Sequence, residues 1–242
     1  MLRSILFVAS LALLLWQTPA AAADKTIGVF VALADNKSQG LVPVPARIGN
    51  GNDPENNLYW GNSEGLQGTF DHSRRWKLIG KQSSAAGDIL RTRTYRHVQT
   101  GAVLTANAYR GSSMRRCIAD YDSAVANASY DLVVFIGHNG LMDFTLPTAV
   151  RPPKRVRRAD CAVLCCKSDS FFRERLIAEG GRPILLTTQL MYPGAFIVTA
   201  IAESWMSGGR LDAIRERAGA AYAANQKISR RAGTGVFAKL RD

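Results

Sequence analysis

Residues 131–140 read Asp-Leu-Val-Val-Phe-Ile-Gly-His-Asn-Gly: five apolar residues run into a glycine, a histidine and a second glycine. A run this short, apolar on both parities, predicts a strand buried on both faces, as in a parallel sheet covered by helices. Three more runs have the same character: residues 25–34 (KTIGVFVALA), 161–165 (CAVLC) and 183–188 (PILLTT). Between them the pattern turns helical. Met114, Cys117, Ile118, Tyr121 and Val125 follow a 3.6-residue period behind a cap at Ser112 or Ser113. Phe171, Phe172, Leu176 and Ile177 cluster within 170–179, and residues 195–205 and 211–229 also read as helices. Residues 89–98 and 102–109 alternate around Thr100-Gly101 and predict a hairpin, with a short apolar stretch at 76–80 before it. Residues 35–57 are rich in Gly, Pro and Asn and read as a long loop, and 58–70 as a short helix. The predicted fold is α/β: a mostly parallel sheet flanked by helices on both faces, with a β-hairpin addition. No repeat or linker interrupts it, so residues 24–242 read as one domain.

The chain has 242 residues, 47% hydrophobic and 21% charged, which excludes a disordered chain. Nine prolines and 21 glycines exclude collagen-like sequence. Arg3, then the apolar run from Ile5 to Trp16, Pro19 and Ala21-Ala22-Ala23, give residues 1–23 the form of a secretory signal. The expected location is periplasmic or extracellular, with no transmembrane segment in the mature chain. Export permits disulfides. Of Cys117, Cys161, Cys165 and Cys166, only Cys117 with Cys161 is an easy pair, because a vicinal bridge is strained.

Two apolar runs end in reactive side chains. The first ends at His138, the second at Cys165-Cys166. In an open parallel sheet, ligands bind beyond the carboxyl ends of the strands. Neighbouring strands lie about 4.8 Å apart. His138 and Cys166 are therefore expected at one rim, as base and nucleophile. Gly137 and Gly140 let the backbone turn there, and their amides, with that of Cys166, are candidate oxyanion donors. A helix starting after Cys166, together with Lys167, favours the thiolate form. Alternation puts Cys161 and Cys165 on one face and Cys166 on the other, which makes Cys166 the preferred nucleophile over Cys165.

This order, an apolar strand ending in His with glycines and the next ending in a small residue and Cys, resembles the caspase, legumain and gingipain superfamily of cysteine peptidases. The resemblance covers residues 25–191 as an order of strands and helices. It implies a caspase-like fold, His138 as catalytic histidine and Cys166 as nucleophile, with Cys165 where the family has a small Ala. Here His-Asn-Gly replaces His-Gly, Cys-Cys replaces Ala-Cys, and the two sites are 28 residues apart. Residues 56–70 (NNLYWGNSEGLQGTF), with 134–144 and 185–196, are also similar to a family of small exported bacterial proteins of unsettled function. No substrate is carried over from that family.

Asp143, five residues after His138, reads first as a solvated loop carboxylate; its functional readings are to orient the imidazole or, as a pocket residue, to meet a basic substrate group. Gln189 and Tyr192 follow the fourth apolar run and should emerge at the same rim; the resemblance implies that they are pocket residues, and Pro193-Gly194 otherwise read as a helix-entry turn. Residues 151–158 (RPPKRVRR) carry Arg151, Lys154, Arg155, Arg157 and Arg158, a candidate contact for an anionic surface. No nucleic-acid motif accompanies them. No metal or cofactor is expected: the cysteines and His138 lack a ligating spacing, and no phosphate loop or G-x-S-x-G is present. The leading expectation is an exported cysteine-dependent hydrolase of peptides. The alternatives are a non-catalytic exported binding or stress protein with the same fold, and a thiol-redox protein using Cys165 and Cys166. The absence of a C-x-x-C motif speaks against the last.

Overall fold

The computed structural model describes residues 24–40, 42–147 and 157–241. The expected export signal, and Arg151, Lys154 and Arg155 of the basic stretch, lie outside the described residues. Among the described residues seven strands form: β1 (Thr26–Ala32), β2 (Trp76–Ser83), β3 (Ile89–His97), β4 (Val103–Tyr109), β5 (Leu132–Ile136), β6 (Asp160–Leu164) and β7 (Arg182–Leu185). Their helices are α1 (Leu66–Asp71), α2 (Met114–Ala126), α3 (Ser168–Ala178), α4 (Ala195–Met206), α5 (Leu211–Gln226) and α6 (Arg230–Gly235). The strands make one sheet in the order β2-β3-β4-β1-β5-β6-β7. Neighbours from β4 to β7 are parallel, and β2 and β3 extend the sheet antiparallel beyond β4. The protein is α/β, with a mostly parallel sheet between two helical layers.

The doubly apolar runs explain the layers. Along β1 and just beyond it, Ile27, Val29, Val31 and Leu33 face one core, which α1, α4 and α5 cover. Phe30 and Ala32 face the other, covered by α2 and α3. In β5 the split is Leu132, Val134 and Ile136 against Val133 and Phe135. Each parity needs apolar side chains because each face is covered, so these strands cannot show the polar alternation of a one-faced sheet. Tyr121, Phe135 and Phe172 anchor the second core, with ring centroids 5.9–6.4 Å apart.

Some local expectations change. The helix predicted over 58–70 is confined to Leu66–Asp71, and the residues before it fold as successive turns. The last predicted helix stops at Gln226, where Lys227 takes a left-handed conformation (φ 53°), and α6 follows separately. Ser113 stands at the start of α2 but does not cap it, because its hydroxyl donates to Asp88 Oδ1 at 2.6 Å. All four cysteines are free, so the considered Cys117–Cys161 bridge is not formed. Among the described residues no helix is long and apolar enough to cross a membrane.

Behind α3 lies a buried charge cluster. Arg175 donates to Asp122 Oδ2 at 2.8 Å and sits 3.5 Å from Glu179 Oε1. Glu179 is 1% exposed, and burial and the Asp122 charge, against the opposing pull of Arg175, push its carboxyl up to about 9. The folded protein therefore holds a proton at Glu179 that the unfolded chain releases near its ordinary value of 4.5. Stability should fall as pH rises across that window, because the native state binds more protons than the unfolded one. Glu179→Gln is expected to match wild type near pH 5 and to exceed it by about 2 kcal/mol at pH 7. Urea unfolding at several pH values measures this; parallel pH profiles for the two proteins would refute it.

Candidate functional site

The site is built where β5 and β6 end. Their register pairs Leu132 with Asp160 through Ile136 with Leu164. Two residues further along each strand stand His138 and Cys166, on adjacent parallel strands at the carboxyl rim. Both continue the parity of Ile136 and Leu164, the face covered by α1, α4 and α5. Asn139 ties the two turns together: its Nδ2 donates to the Cys166 carbonyl at 2.7 Å and its Oδ1 accepts from Leu141 N at 3.2 Å. Asn139 is fully buried. The residue that departs from the His-Gly pattern thus holds the histidine turn against the cysteine turn.

His138 is buried, 8% exposed, and its Nε2 meets Asp143 Oδ2 at 2.8 Å. Asp143 also accepts from Gly40 N at 2.9 Å, so the loop after β1 helps to place the carboxylate. Of the readings considered for Asp143, this contact is the geometry that orienting the ring requires. With Nε2–H donated to a carboxylate, Nδ1 carries the lone pair and is the ring atom left to accept a proton.

The four thiols differ sharply in surroundings. Cys117, Cys161 and Cys165 are fully buried in the second core, and burial pushes all three thiols up. Cys166 is partly exposed. Its sulfur accepts from Met191 N at 3.4 Å and lies 3.6 Å from the Met191 carbonyl. The next residue, Lys167, is left-handed (φ 50°), a conformation costing a non-glycine residue about 1–2 kcal/mol. It is held by donation from its own N–H to the Gln189 carbonyl at 3.0 Å. Ser168 opens α3 and is locked to Thr187 from both sides: Ser168 N donates to Thr187 Oγ1 at 3.0 Å, and Thr187 N to Ser168 Oγ at 2.8 Å. The Thr187 hydroxyl also donates to the Cys165 carbonyl. The strand-to-helix elbow carrying Cys166 is therefore pinned on its β7 side.

The expected oxyanion donors are arranged otherwise. Gly137 N donates to the Leu164 carbonyl at 3.3 Å, extending the parallel ladder, and Gly140 N donates to the His138 carbonyl at 3.0 Å, closing a turn. Neither amide is free. Both glycines serve close packing: a Cβ on Gly137 would come 3.1 Å from Ala32, and one on Gly140 within 2.7 Å of Met114 and Phe144. Of the three amides considered, that of Cys166 remains.

Gln189 and Tyr192 flank Met191, so the β7–α4 loop does pass over the cysteine. Gln189 Nε2 donates to the Gly235 carbonyl at 3.3 Å, and Tyr192 N donates to the Tyr222 hydroxyl at 3.3 Å. Tyr59 was not anticipated. It is buried, and burial together with the nearby Cys166 and Cys165 sulfurs pushes its phenol up. Its own loop is fixed by Asn57, fully buried, whose Oδ1 accepts from Ala34 N (3.0 Å) and Tyr59 N (3.2 Å) and whose Nδ2 donates to the carbonyls of Ala34 (2.8 Å) and Asn50 (3.0 Å). An asparagine inside a Gly- and Asn-rich loop was the available sequence signal, and nothing in its spacing says which backbone it meets.

Of the basic stretch, Arg157 pairs with Asp131 at the opposite, amino end of β5, and Arg158 is exposed. Among the described residues no group of three or more His, Cys, Asp and Glu side chains is gathered as a metal site. No protein-family model, no curated protein and no solved structure matches this chain.

Proposed function

We propose that the protein is an exported cysteine-dependent hydrolase of peptide bonds. One observation carries the reading: the only thiol outside the core stands one strand across from a histidine whose far nitrogen is held by a carboxylate. The likeness of the two rim motifs to caspase, legumain and gingipain peptidases supports a peptide carbonyl as the target, and the form of residues 1–23 supports export. In the proposed step, His138 Nδ1 takes the Cys166 proton as Sγ bonds to the carbonyl carbon. The C=O π electrons move onto oxygen, facing the Cys166 amide. Collapse expels the amine, which leaves with the proton from His138, and a thioester remains. Water, deprotonated by the same ring, then hydrolyses the thioester and regenerates the thiol. Asp143 is a positioning residue that keeps the ring in the working tautomer.

The test combines labelling and cleavage on protein recovered from an exporting host, where Asp24 should be the first residue. Iodoacetamide is expected to modify Cys166 rapidly and to leave Cys117, Cys161 and Cys165 untouched in the folded state. A diverse peptide library is expected to yield cleaved products. Labelling no faster than a simple thiol, with no cleavage, would instead support the non-catalytic binding protein. Recovery of a Cys165–Cys166 disulfide would support the redox reading.

A further inference from the structure

A groove of about 1300 Å³ runs between α4, α5, α6 and the turn joining α1 to β2. None of His138, Cys166, Asp143 or Tyr59 lines it. Six arginines do: Arg74, Arg75, Arg215, Arg217, Arg230 and Arg231. Among the described residues, the only lining carboxylates are Glu203 and Glu216. Glu203 is already engaged, with Arg75 at 3.1 Å and His97 at 3.2 Å. Arg215 donates to the Phe237 carbonyl at 2.9 Å. Arg74, Arg217, Arg230 and Arg231 are exposed, and their side chains make no ion pair or hydrogen bond among the described residues. They come from three separate elements, so neither helix periodicity nor a sequence run accounts for their meeting.

A second observation falls on the same groove. Trp76, which lines it, is 3% exposed, and its indole N–H has no acceptor among the described residues. Buried indole donors ordinarily find one. The groove thus combines an excess of unpaired guanidinium groups with an unused buried donor, and acceptors are what it lacks. Guanidinium forks match phosphate oxygens two at a time, and like charges crowded in a concave wall are relieved by a polyanion. The volume exceeds that of an ordinary small-ligand pocket and suits several phosphate groups rather than one.

We propose that this groove binds a ligand carrying clustered phosphate groups. It does so independently of the His138–Cys166 rim. The shared chemistry admits two sources, a soluble polyphosphate compound or a phosphomonoester headgroup on a membrane.

Calorimetric titration with tripolyphosphate tests it, alongside co-sedimentation with phosphatidylcholine vesicles with and without phosphatidic acid. Saturable binding is expected to tripolyphosphate, to the phosphatidic acid vesicles or to both. The double variant Arg217→Ala with Arg231→Ala, both exposed, is expected to weaken it at least about tenfold, the scale of losing charge-assisted phosphate bonds. A charge-matched variant outside the groove, Lys37→Ala with Lys81→Ala, both exposed, is expected to stay within about twofold. Circular dichroism confirms that both remain folded. Vesicle binding that tripolyphosphate displaces assigns the headgroup, and tripolyphosphate binding without vesicle binding assigns the soluble ligand. Absence of binding to either probe, or equal losses in the two double variants, would overturn the proposal.

Discussion

Cys166→Ala is expected to reduce peptide hydrolysis to background, a loss of at least about 10³-fold, with the fold unchanged. Cys166 is partly exposed and its sulfur hydrogen-bonds to the Met191 backbone, so removing it opens no sealed cavity. His138→Ala is expected to cost about 10²–10⁴-fold, the usual range for a general base. Asp143→Asn should lower kcat by about 10–100-fold with KM little changed, because the carboxylate touches the ring through Nε2 and not the substrate. Cys165→Ala should retain most activity, since that thiol lies in the second core beneath the rim. Steady-state kinetics on a cleaved library peptide measure all four. Full activity in Cys166→Ala would remove the nucleophile and with it the proposed function.

Asn57→Ala is expected to cost about 3 kcal/mol of stability, although Asn57 lies in a loop where substitutions are ordinarily mild. Its side chain satisfies four backbone groups, and alanine leaves Ala34 N, Ala34 O and Tyr59 N without it in a buried place and Asn50 O in a partly buried one. Each orphaned group costs about 1–3 kcal/mol, reduced where the loop can open to water. For a chain this long the loss corresponds to a melting point lower by about 6–12 °C. Calorimetry reads it directly. The same substitution frees Tyr59 from its place beside the two sulfurs, so iodoacetamide should reach Cys165 faster than in wild type. A melting point within a degree of wild type would show that solvent replaces Asn57 without cost.

The fold class was legible because burial is written into composition. Residues 25–34, 131–137 and 161–165 are apolar on both parities, and only a strand covered on both faces needs that. The hairpin of β3 and β4 was legible from alternation around Thr100-Gly101. Parity also separated Cys166 from Cys161 and Cys165. Less legible were features set by partners distant in the chain. Ser113 resembles a cap, yet Asp88 takes its hydroxyl. Gly137 looks like an oxyanion donor, yet the Leu164 carbonyl takes its amide.

By itself, then, the sequence determined which segments are buried and in which local geometry, because hydrophobic periodicity reports the number of covered faces residue by residue. It also determined that a histidine and a cysteine leave the ends of two such segments. Tertiary structure alone decided the rest: the β5–β6 register that sets His138 across from Cys166, the Asp143 and Asn139 contacts that fix their turns, and the convergence of Arg74, Arg217, Arg230 and Arg231 on one groove. The physical reason is that hydrogen bonds and charge pairs depend on distances of a few ångströms between residues tens to more than a hundred positions apart. No local pattern encodes such distances until the sheet and its two helical layers have closed.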